Sequence, residues 1–142
     1  MEPEITSPSF ARPNRPTGVW ILSLYALIFV GLLPALLGIY VLVSGQAAGN
    51  ELDLLLALPI SLGALISAYG AWKGDNRARK SLLFFVNLHY AFIALNNFLV
   101  IQSGQVPDDQ LTTYWGRVLR VFVYPVLYIW YFTNPTTKEF YE

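Results

Sequence analysis

The sequence predicts an all-α integral membrane fold, an up-down four-helix bundle, on three observations. Four stretches, 16–50, 54–72, 81–107 and 121–137, contain no charged residue. Each is near or above the roughly 17–25 apolar residues that an α-helix needs to cross a bilayer. Hydrophobic residues make up 55% of the chain and charged residues only 13%, about half the charge of an ordinary soluble domain. The connections between the stretches are short, which favours antiparallel neighbours.

The elements follow in order. Met1–Pro16 holds four prolines and two glutamates and is read as an extended or disordered tail. The first span runs from Thr17, a candidate N-cap, to about Val43. The charge-free stretch around it covers 35 residues, too long for the roughly 7–15-residue core of a cleaved signal peptide. A Gly/Ala-rich turn then leads to Asn50 and Asp53, spaced as a capping box. The second span, about 51–73, stops at Lys73–Gly74, where glycine suits a helix C-terminus. Asp75 or Asn76 caps the third span, about 77–102. Gly104, Pro107, Asp108 and Asp109 mark a loop. The fourth span covers about 113–132, and Asn134–Pro135 opens a short tail, 134–142. Leu33–Gly38 and Leu58–Gly63 echo each other as Leu-Pro steps ending in glycine. An inverted repeat is the sharper reading of that echo and chance composition the plainer one. In a chain of 142 residues these spans leave no room for a separate soluble domain.

Charge sets the expected orientation. Arg12, Arg15, Lys73, Arg77, Arg79, Lys80 and Lys138 fall on one side of the expected topology. The opposite side holds Glu51, Asp53, Asp108 and Asp109 and, at most, the two bases Arg117 and Arg120 of the fourth span. The positive-inside rule therefore puts both termini in the cytoplasm, as in a bacterial inner-membrane protein. Trp20, Tyr69, Trp72, Trp130 and Tyr131 fall near one interface, and Tyr40, Tyr114 and Trp115 near the other, as aromatic belts do.

The same composition excludes several chemistries. Nine Lys/Arg offset nine Asp/Glu, so net charge points to no nucleic-acid partner. With no cysteine there is no thiol chemistry or Cys-ligated metal. No charge-free stretch contains an acid, which disfavours a carboxylate-driven proton transporter. No Ser-His-Asp set, carboxylate pair or metal cluster can be assembled, so no catalytic residue, metal or resident cofactor is expected.

Three constellations remain. Gly63, Ser67, Gly70 and Gly74 share a small-residue face on span 2, and Gly31, Ala35 and Gly38 lie on span 1. Small residues let helices approach closely in lipid, either within this chain or against another subunit. On span 4, Arg117, Arg120, Tyr124, Tyr128 and Tyr131 fall within about 40° either side of one face. The stripe is a candidate lipid- or partner-binding surface, an anion or headgroup site or an ion pair with Asp53, Glu51 or Asp108, because arginine inside a membrane faces protein, water or headgroups. The plainer alternative is two arginines snorkelling to the outer phosphates. His89, the single histidine, lies near mid-span with Asn96 two turns on. It is read first as a structural imidazole bonded to a neighbouring helix, with Tyr124 at matching depth. It is also a candidate ligand for a pigment or metal shared with a partner, or a proton relay. Asn96 and Asn97 are expected to bond between helices.

The start Arg15-Pro16-Thr17-Gly18-Val19, the turn Gly70-Ala71-Trp72-Lys73 before Arg77-Ala78-Arg79, and the tail Tyr131-Phe132-Thr133-Asn134-Pro135-Thr136-Thr137-Lys138-Glu139-Phe140 resemble a loose group of small bacterial four-span membrane proteins. The resemblance covers the whole chain. It implies fold and topology and supplies no activity and no site residues. The expected function is a non-enzymatic accessory or structural subunit of a membrane complex, with the bilayer and other membrane subunits as partners. A cofactor-binding subunit using His89 and a small homo-oligomeric transporter or channel are the alternatives.

Overall fold

A computed structural model describes residues 16–45, 51–104 and 106–141, and excludes the side chains of 51–54. Every element it contains is helical. In this account α1 is Thr17–Val43, α2 Glu51–Trp72, α3 Asn76–Gln102, α4 Asp108–Thr133 and α5 Pro135–Glu139. The N-terminal tail with Arg12 and Arg15, the turn through Gln46, and the expected cap Asn50 lie outside the described residues.

Thr17 is the first helical residue and not the N-cap. Pro16 takes that place in extended geometry, and the Val19 N–H donates to its carbonyl at 3.0 Å. Inside α1, Ala26–Leu32 widens into a π-helical turn, in which the Leu33 N–H reaches back to Ile28 O. The wide turn immediately precedes Pro34, whose ring would collide with the Val30 carbonyl in a regular α-helix. Pro59 does not repeat this feature; it lies within the continuous helix α2.

The α2–α3 turn follows directly from its residues. Gly74 has φ +91°, a left-handed conformation that costs glycine nothing. Its N–H donates to Ala71 O and that of Asp75 to Gly70 O, at 3.1 and 3.0 Å, which closes the helix end as a Schellman motif. Asp75 then caps α3 through its carboxylate, which accepts from the N–H groups of Arg77 and Ala78. Helix α4 starts at Asp108, earlier than the expected Thr113, with Asp108 and Asp109 in its first turn. Negative charge there suits the positive end of the helix dipole.

Helix α2 packs against both α1 and α3, and α4 packs mainly on α3. Small residues make the close seams. A Cβ on Gly31 would lie 3.0 Å from the backbone of Leu65, and one on Gly70 would lie 2.5 Å from the Ala78 side chain. A Cβ on Gly63 would overlap the Phe85 ring. Ala64, Ala68 and Ala71 are fully buried, and Ser67 and Gly38 are buried with them. The small-residue faces of α1 and α2 are thus used within this chain. The start of α1, the α2–α3 turn and the C-terminal segment gather at one end, joined by contacts from Gly18 to Tyr131 and from Gly74 to Phe140.

The exterior is largely apolar, with Val43 83% and Ile66 72% exposed. Among the described residues three helices are long and apolar enough to cross a membrane: Thr17–Val43, Leu55–Trp72 and Asn76–Gln102. The sequence had suggested four. Helix α4 has the length, 26 residues, but Arg117, Arg120 and its tyrosines make it less apolar than the other three.

Candidate functional site

The tyrosines of α4 converge on the interior. Tyr128 is fully buried, and its hydroxyl donates to Leu22 O on α1 at 2.7 Å. One turn towards the start of α4, the Tyr124 ring stacks on Tyr25 of α1 at 5.7 Å and on Tyr90 of α3 at 5.3 Å. The interplanar angles are 14° and 7°. One turn the other way, Tyr131 fills the space that Gly18 leaves open. Offset aromatic stacking adds about 0.5–1.5 kcal/mol per pair beyond area burial, so this column ties α1, α3 and α4 together. Tyr25 and Tyr90 were not singled out by sequence. The available signal was their mid-span position, away from the interfacial belts, where a phenol needs a partner.

The stripe on α4 splits. Arg117 and Arg120 lie on the same side as the tyrosines but are exposed. The first helix packs on α2 along its length and meets α4 through Thr17–Tyr25, and beyond Tyr25 it stays on α2, with Gly31 against Leu65. The Arg117 guanidinium lies over the Tyr114 ring, 5.0 Å from its centroid. Neither arginine forms an ion pair among the described residues.

His89 is half-buried and stands edge-on to Tyr90, with ring centroids 5.4 Å apart. It makes no hydrogen bond to a neighbouring helix among the described residues, and Tyr124 is engaged with Tyr25 and Tyr90 instead. The expected His89–Tyr124 bond is therefore corrected. The expectation for Asn97 is corrected too, and Asn87 behaves alike. Asn97 donates to Ile93 O at 2.7 Å and Asn87 to Leu83 O at 2.6 Å, both on their own helix. The carbonyl four residues back lies within reach of a short amide without any second helix having to meet it. Among the described residues no three His, Asp or Glu side chains come together as a metal site.

A second cluster was missed by sequence. Arg79 is buried, and its Nη1 donates to Phe132 O at 2.9 Å. That carbonyl is one of the last in α4, where the helix has no donor of its own to offer. A cation there also suits the negative end of the helix dipole. The guanidinium lies 5.2 Å from the Tyr141 ring, and the Tyr141 hydroxyl donates to Ala71 O at 3.0 Å. Asn134 caps α5 by accepting from the Thr136 N–H. The short helix then folds back and buries Thr137 and Tyr141 beneath the α2–α3 turn. What sequence presents as a polar tail is a latch across one end of the molecule. Its signal was the Asn-Pro restart followed by two aromatics, Phe140 and Tyr141.

No protein family, curated protein or solved structure matches this chain.

Proposed function

We propose that this chain is a four-helix integral membrane protein of the bacterial cytoplasmic membrane, with both termini inside, and that it serves as a non-enzymatic accessory or structural subunit of a larger membrane complex. The spanning unit is an antiparallel up-down bundle of α1 to α4. Clustering of Lys73, Arg77, Arg79, Lys80 and Lys138 at one end supports the orientation, since the positive-inside rule counts bases near span ends.

One observation carries the subunit reading. Tyr128, Arg79 and Tyr141 spend their polar groups on joining helices, whereas an open apolar groove remains between α2 and α3. It encloses about 340 Å³ and is lined by Pro59, Ile60, Leu88, Ala91, Phe92 and Leu95. A groove between two helices with the small residue Ala91 in its lining has room for the ridge of one further helix, and helix association in lipid is driven by such packing. Affinity purification in mild detergent followed by native mass spectrometry is the test. The expected result is a co-purifying membrane polypeptide that is lost when Ala91→Trp fills the groove. Recovery of a strictly monomeric chain from freshly solubilised membranes would refute the reading. Cysteines introduced at Gln46 and Gln105 test the orientation, and labelling of either by an impermeant reagent only after lysis would reverse it.

A further inference from the structure

We infer that Arg117 and Arg120 form a binding site for the phosphate of an anionic phospholipid, an inference that rests on the membrane-spanning reading of α4. Both guanidiniums bend towards the start of their helix. Arg117 lies over Tyr114, and the Nη2 of Arg120 lies 4.0 Å from where a Cβ on Gly116 would stand. The missing side chain at Gly116 leaves room for that bend.

Depth explains the direction. The 26 residues of α4 span about 39 Å at 1.5 Å per residue. A hydrocarbon core of about 30 Å leaves roughly 4–5 Å of overhang at each end if the helix is centred. Tyr114 and Gly116 lie about 9 and 12 Å from the start of the helix, hence about 5–8 Å inside the hydrocarbon boundary. The Cα atoms of Arg117 and Arg120 lie deeper, about 9 and 14 Å inside that boundary. Bending towards the start of the helix lifts their charges to the level of Tyr114 and Gly116, where a phosphate drawn slightly inwards meets them, whereas side chains pointing sideways would leave them in the acyl region.

The charge balance selects the ligand. Two guanidiniums one helical turn apart, unpaired among the described residues, present a double positive charge. Arginine forks match phosphate oxygens geometrically. A zwitterionic lipid would bring a further ammonium into this field, and an anionic one would not. Acyl chains have a surface to lie on, because α1 parts from α4 above Tyr25. Phe29, Leu33 and Leu37 are exposed on that stretch of α1.

The test uses the full chain in mild detergent. Dioleoyl phosphatidylglycerol and dioleoyl phosphatidylcholine are added separately, and bound lipid is counted by native mass spectrometry. At the attraction typical of basic side chains near anionic headgroups, each arginine is worth roughly fivefold and the pair about thirtyfold. The phosphatidylglycerol preference should therefore fall by about that factor in Arg117→Gln/Arg120→Gln. It should persist in Arg117→Lys/Arg120→Lys, which keeps the charge and controls for folding. It should also persist in Arg77→Gln, at the other end of the molecule. Equal retention of both lipids by the parent chain, an unaltered preference in the glutamine pair, or loss of a bound polypeptide in place of lipid would overturn the site. Alkaline carbonate extraction separates the two ideas. Release from the membrane as a peripheral protein refutes the spanning reading, whereas an integral protein with no lipid preference refutes only this site.

Discussion

Gly31 marks a close approach between α1 and α2, and replacing it tests the packing account. A Cβ there would lie 3.0 Å from the N, Cα and Cβ of Leu65, inside the optimal carbon–carbon separation of about 3.5–4.0 Å. Two of those atoms are backbone, so a side-chain rotation cannot relieve the overlap. The helices must separate by roughly half an ångström or more to restore contact. Overpacking of this kind costs about 1–3 kcal/mol. For Gly31→Ala, part of that is offset by the roughly 0.5–1 kcal/mol that alanine gains over glycine in a helix. The net effect should be a loss between zero and about 2.5 kcal/mol. Gly31→Leu drives three further carbons into the seam, and a loss of about 3 kcal/mol or more is expected. At about 2–4 °C per kcal/mol for a chain of this size, the leucine variant should melt about 6–12 °C below the parent. Circular dichroism melting in mild detergent reads this directly, with Leu37→Ala as a control at an exposed position of the same helix. A Gly31→Leu protein that melts with the parent would refute the close seam and the role assigned to small residues in it.

The remaining predictions concern the column, the latch and one cap. Tyr128→Phe should cost about 0.6–1.7 kcal/mol, as interhelical bonds in membranes do. Leu22 O keeps its own helical donor, the Ala26 N–H, so no acceptor is orphaned. Tyr128→Ala should cost about 3–5 kcal/mol through the cavity it opens, and urea or thermal titration in detergent separates the two variants. Arg79→Met removes the bond to Phe132 O and the contact with Tyr141. Hydrogen exchange at the Lys138 and Tyr141 amides should then quicken by about ten- to a hundredfold, in line with a charged hydrogen bond; unchanged protection would show that the latch holds without it. Asp75→Ala should lower stability by about 1 kcal/mol through loss of the α3 cap, and Asp75→Asn should restore most of it in the same melt.

The long apolar helices and the α2–α3 turn were legible because they depend on local chemistry, whereas the start of α4 at Asp108 and the short helix α5 were not. Long charge-free runs have few alternatives to an apolar helix, and Gly74 followed by Asp75 admits little but a stop and a restart. The α4 stripe, whose tyrosines turn inwards, was legible as one candidate surface. The behaviour of His89 and Asn97 was not. Each had a partner assigned by depth alone, and depth does not say which neighbour is already engaged or whether a helix carbonyl lies closer.

Composition, spacing and charge by themselves determined that this chain is helical, that its helices are apolar, and which residues are too polar to be left in lipid without a reason. Tertiary structure alone decided how those residues are spent. It parted the α4 stripe into a buried tyrosine column and two exposed arginines, because α1 meets α4 through Thr17–Tyr25 and beyond Tyr25 stays on α2, with Gly31 against Leu65. It also turned the tail into a latch, because Arg79 lies opposite the unfilled carbonyls at the end of α4. Hydropathy is a property of one segment at a time, whereas a hydrogen bond or a stacked ring depends on which segments meet at a given height.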